Sequence, residues 1–75
     1  MKSELIVFRR VFVEMCMLGW DVMELAKACG VSYVSLRRKL CGESPWLLEE
    51  CIAVKEALKS DMPIETLFER FGNNA

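Results

Sequence analysis

Residues 21–43 read DVMELAKACGVSYVSLRRKLCGE, and two short amphipathic patterns meet inside that stretch at Gly30. Val22, Leu25, Ala26 and Cys29 recur at the spacing of one helix face, and Val31, Leu36 and Leu40 do the same for a second. Ala26 is small where two helices must cross closely. Gly30 stands just past the first pattern, where a left-handed residue is needed to stop a helix. Ser32 then offers a hydroxyl suited to cap the next one. The second pattern carries Arg37, Arg38 and Lys39 in succession, with no acid between Val31 and Gly42. A tight helix–turn–helix whose second helix is basic is the arrangement that enters a DNA major groove.

Working outward, the remaining chain reads as helical, giving an all-α, five-helix fold in one domain spanning residues 1–75. The spacing of Phe8, Val11, Phe12, Met15 and Leu18 predicts a first helix over about 3–18, stopped by Gly19. Asp21 is placed to cap the second helix, which ends at Cys29. The third covers about 32–40. Pro45 forces a turn over 42–45. A fourth helix follows over about 46–59, repeating Leu48, Cys51, Val54 and Leu58. A fifth opens at Asp61-Met62-Pro63, with proline at an early position, runs through Phe71 and stops at Gly72. Residues 72–75 are expected to fray. Phe8, Phe12, Trp46, Phe68 and Phe71 read as core, and Trp20 as a cover over it.

Composition excludes several classes. A 75-residue chain leaves little room for a buried catalytic cleft. It has no histidine, and its acids are scattered on faces expected to meet solvent, so no catalytic residues are assigned. Cys16, Cys29, Cys41 and Cys51 lack the spacing of a zinc knuckle. They read as small buried or half-buried hydrophobes, with no metal or cofactor implied. Arg9, Arg10 and Glu14 interrupt the N-terminal apolar run, which resembles neither a membrane span nor a signal peptide. The expectation is a cytoplasmic protein with no small-molecule substrate.

The net charge is −1, but its distribution is uneven. Residues 1–30 balance and residues 31–42 carry +3. Residues 43–75 carry −4, seven acids against three bases. Such polarity lets a basic helix face phosphates while the acidic end points away.

The stretch ELAKACGVSYVSLRRKLCGES resembles the helix-turn-helix of the Cro-repressor-like (xenobiotic-response-element) family of bacterial and phage regulators. The match rests on Leu25, Ala26, Gly30, Val31, Ser32, Leu36, Lys39, Leu40, Gly42 and Ser44. A weaker similarity continues through PWLLEECIAVKEAL and DMPIETLFERF, where the family has its fourth and fifth helices. The resemblance implies a DNA-binding transcriptional regulator that reads double-stranded DNA with residues 32–40. Base contacts would fall to Tyr33, Val34, Arg37 and Arg38. Backbone contacts would fall to Lys27, Ser32, Ser35, Lys39 and Ser44, together with amides near Trp46. Many relatives place glutamine first in the second helix to brace the third. Here Val22 stands there and reads as core.

Apolar residues outnumber the faces available to bury them. Leu5, Ile6, Val7, Met17, Leu47 and Ile52 fall off the assigned core. A homodimer is therefore expected, through Ile64, Leu67, Phe68 and Phe71 first and through Leu5, Ile6 and Val7 second. The alternative function is a protein-interaction module of the same fold that binds another regulator instead of DNA.

Overall fold

Four of the five helices stop in the same way, and those stops shape the molecule. The computed structural model describes residues 6–71 and contains α1 (Arg9–Met17), α2 (Val22–Cys29), α3 (Tyr33–Leu40), α4 (Leu48–Leu58) and α5 (Ile64–Leu67). No strand occurs among the described residues. Leu5, Gly72 and the fraying expected of residues 72–75 lie outside them. At the end of α2, Gly30 takes φ +73°, so its amide donates to Lys27 O and the Val31 amide to Ala26 O (3.0 Å). This pair of bonds satisfies carbonyls that a helix end would leave bare. The same pairing closes α1 at Gly19, α3 at Gly42 and α4 at Lys59, the last a non-glycine at φ +54°.

Starts are encoded as locally as stops for α2 and α3. Asp21 Oδ1 accepts the Glu24 amide (2.9 Å) while Glu24 Oε1 accepts the Asp21 amide (2.8 Å), a complete capping box. Ser32 Oγ accepts the Ser35 amide (3.1 Å). In α4 only half of that device exists. Glu50 Oε1 accepts the Leu47 amide (3.0 Å), but leucine has no oxygen to return the bond.

The core gathers Ile6, Val11, Met15, Val22, Leu25, Ala26, Leu36, Leu40, Val54, Leu58 and Leu67. Val22, Leu25, Ala26, Leu36 and Leu40 thus lie inside as predicted, with Cys29 and Val31 half-buried against them. Helix boundaries differ at both ends of the chain. Residues 6–8 are not helical, because the Val7 and Phe8 amides donate to Leu40 O (2.9 and 3.4 Å) at the open end of α3. Ile6 is consequently buried instead of surplus, and Val7 is half-buried. The fifth helix has only four residues, since the chain leaves helical geometry at Phe68 and the Phe71 amide turns to Val7 O. The fourth begins at Leu48, so Trp46 and Leu47 precede it. Leu18 and Leu48, expected inside, are exposed, and so is Cys16. No helix is long and apolar enough to cross a membrane among the described residues.

Trp46 explains why helix four starts late. Its indole packs edge-on against Phe68 (ring centroids 4.9 Å apart) and Phe8 (5.9 Å). Drawing it into that cluster pulls the chain out of helical geometry ahead of Leu48. The cluster also holds Phe8 and the segment after α5 against each other.

Candidate nucleic-acid interface

The turn at Gly30 and the cap at Ser32 fix where α3 begins, and the core fixes its inward face. Leu36 and Leu40 are 1% and 0% exposed and anchor α3 to the core. Their burial forces the intervening positions outward. Val34 is 56% exposed, Arg38 is exposed and Arg37 is half-buried. The ion pairs among the described residues are Arg10–Glu69 (3.3 Å) and Lys39–Glu50 (3.0 Å). Arg37, Arg38 and Lys27 therefore have no acid partner among those residues, and Lys27 stands exposed in the last turn of α2.

The other anticipated contacts divide. Tyr33 is half-buried, packed on the core beside an apolar groove lined by Phe12, Met15, Trp20 and Met23. Ser32 is exposed. Its oxygen is committed to the cap, which leaves the hydroxyl proton free to donate. Ser35 and Ser44 are half-buried.

Lys39 departs from expectation. Its ammonium donates to Pro45 O (3.2 Å) and pairs with Glu50, and its side chain is only 13% exposed. It ties α3 to the start of α4 and is not available to grip a phosphate. The three-residue basic run concealed this, because the acid that claims Lys39 lies eleven positions later. Glu50 responds to its partners. The Leu47 amide first, and then the Lys39 ammonium, hold its carboxyl below the ordinary glutamate value. The same carboxylate, with Glu49 beside it, occupies the N-terminal end of α4. Amides expected to meet a phosphate near Trp46 are therefore pre-empted at Leu47.

Burial pushes the Cys29, Cys41 and Cys51 thiols up, against a smaller downward pull on Cys41 from Arg37. No group of acids and cysteines able to hold a metal occurs among the described residues.

Three of the four residues named for self-association are committed elsewhere in the chain. Leu67 is 0% exposed in the core, Phe68 lies in the cluster with Trp46, and Phe71 sits under the Arg10 guanidinium (5.1 Å). Ile64 remains half-buried. Exposed apolar side chains gather instead at Leu47, Leu48 and Ile52 around the start of α4, and at Val13, Met17, Leu18 and Met23 on α1 and α2. One cation carries no assigned role in the sequence. Arg70 is carried by the segment after α5 to the turn that ends α3 and lies against Gly42. Comparison with protein families, curated proteins and solved structures found no match.

Proposed function

We propose that the protein is a sequence-specific double-stranded DNA-binding regulator of the Cro-repressor-like kind, using α3 in the major groove. The observation carrying this reading is the pair Arg37 and Arg38. Both are unpaired among the described residues, on a helix whose other side is locked by Leu36 and Leu40. Arginine reads guanine O6 and N7 bidentately, and exposed Val34, one turn earlier, suits a thymine methyl. Lys27 and the Ser32 hydroxyl supply sequence-independent phosphate contacts. The regulator acts as a homodimer, since one copy offers few cations and two copies double them across adjacent half-sites. The surface best suited to pairing is the exposed start of α4, with Leu47, Leu48 and Ile52.

Selection of binding sites from random duplex DNA, followed by salt titration of the selected site, tests the proposal. A defined motif whose affinity falls steeply with salt is the expected result. Arg37→Ala should then lose about 1–3 kcal/mol on that motif and relax one base preference. Failure to enrich any motif would refute the reading. The exposed apolar patches favour a second reading, a module that binds another regulator, whose association would barely respond to salt.

A further inference from the structure

The turn that closes α3 contains a seat for a side chain from far along the chain. Gly42 has φ +80°, and the space where its Cβ would stand is filled by the Arg70 guanidinium. Nη2 is 2.8 Å from that point, and Cζ and Nη1 are each 3.0 Å away. The absence of a side chain at position 42 leaves room for the guanidinium there. The Phe8 ring flanks it, 6.0 Å from centroid to Cζ. Arg70 is exposed and makes neither hydrogen bond nor ion pair among the described residues. Glu43, the acid nearest in sequence to the seat, does not pair with it.

Position gives this charge its meaning. The eight residues of α3 extend roughly 12 Å, about the width of the major groove. A helix that reads bases along its length delivers the turn beyond its end to the groove wall, where phosphates stand. Arg37 and Arg38 are on the helix itself, and Arg70 lies against Gly42, two residues past its end. We propose that Arg70 is a phosphate-gripping residue of the DNA interface, seated on Gly42 by the segment after α5. The acidic half of the chain then contributes one cation to the binding face, placed by a glycine. This inference rests on the DNA-binding reading above and assigns Arg70 a role outside the helix-turn-helix.

The test measures affinity of the intact protein for its selected duplex and for a random duplex between 50 and 200 mM salt, for wild type, Arg70→Gln and Arg70→Lys. One lost phosphate contact lowers the salt slope by about 0.9, so the Arg70→Gln deficit should shrink about 3.5-fold across that fourfold range. The deficit should be equal on both duplexes, and Arg70→Lys should keep the wild-type slope. Melting temperatures, recorded alongside, identify a purely structural peg. That outcome would show equal losses of affinity and stability in both variants with an unchanged slope, and it overturns the proposal. An unchanged slope in Arg70→Gln, with Arg37→Ala still losing its base preference, overturns the proposal alone. Wild type that binds no duplex overturns the DNA-binding reading with it.

Discussion

Gly30 and Gly42 have nearly the same backbone conformation in different surroundings, so substituting each by alanine separates backbone strain from a seat. Both adopt positive φ, +73° and +80°. An L-residue in that region costs about 1–2 kcal/mol, and relieving glycine's excess chain entropy returns about 0.5–1 kcal/mol. Around Gly30 nothing lies within 4 Å of an added Cβ, so Gly30→Ala should cost only the difference, about 0.5–1 kcal/mol. Gly42→Ala incurs the same strain and also displaces the Arg70 guanidinium. The displaced group is the tip of a flexible side chain, so the added loss is its packing on the turn and on Phe8, about 0.5–1 kcal/mol. The total for Gly42→Ala is therefore about 1–2 kcal/mol. For a domain of this size each kcal/mol moves the melting temperature by about 4–8 °C. Urea unfolding of both variants, with Gly42→Ala repeated in an Arg70→Ala background, reads the difference directly. In that background the excess should vanish. Equal losses at the two glycines would show that Arg70 is not held at Gly42, and a neutral Gly30→Ala would refute the strain argument.

Lys39→Ala should cost about 0.5–1 kcal/mol of stability by breaking the brace to Glu50, while leaving the salt slope of DNA binding intact, as paired melting and binding titrations would show. Because Glu50 titrates below its ordinary value when folded, its contribution is complete above the usual glutamate range and is lost as pH falls through the lowered folded value. Glu50→Gln should remove that component from an acid-unfolding curve, and an unchanged curve would place the linkage elsewhere. Ala26, 1% exposed, should tolerate enlargement poorly, and Ala26→Leu is expected to cost about 1–3 kcal/mol in urea unfolding. Sedimentation at micromolar concentration should show a wild-type dimer that Ile52→Glu dissociates, whereas a monomeric wild type would end the dimer proposal.

What could be read beforehand depended on how far apart the interacting residues lie. The stops and caps of α2 and α3 join residues three to five positions apart, so Asp21, Gly30 and Ser32 declared themselves by identity alone. The inward faces of those helices followed from periodicity, Val22 included. Misreadings arose where a distant residue competed for the same atoms. Ile6 and Val7 continue an apolar pattern that looks helical, yet the bare carbonyl of Leu40 captures the Val7 amide. Lys39 looked like one of three equivalent cations until Glu50 and Pro45 claimed it. The fifth helix was overextended because Phe68 and Phe71 kept the right spacing, while the aromatic cluster and the bond to Val7 O drew the chain off its axis. Arg70 gave no local signal at all.

The bond from the Phe71 amide to Val7 O, together with that from the Val7 amide to Leu40 O, has a consequence for how the protein is made. Synthesis is vectorial, and α2 and α3 with their turn leave the ribosome before the segment that completes the arrangement around α3. Residue 7 then waits for residue 71 to emerge, and until it does α3 lacks its full surroundings. No helix among the described residues exceeds eleven residues, too short to persist without tertiary support. A stalled or truncated chain ending before residue 71 should therefore be a target for proteolysis instead of a partly folded, persistent fragment.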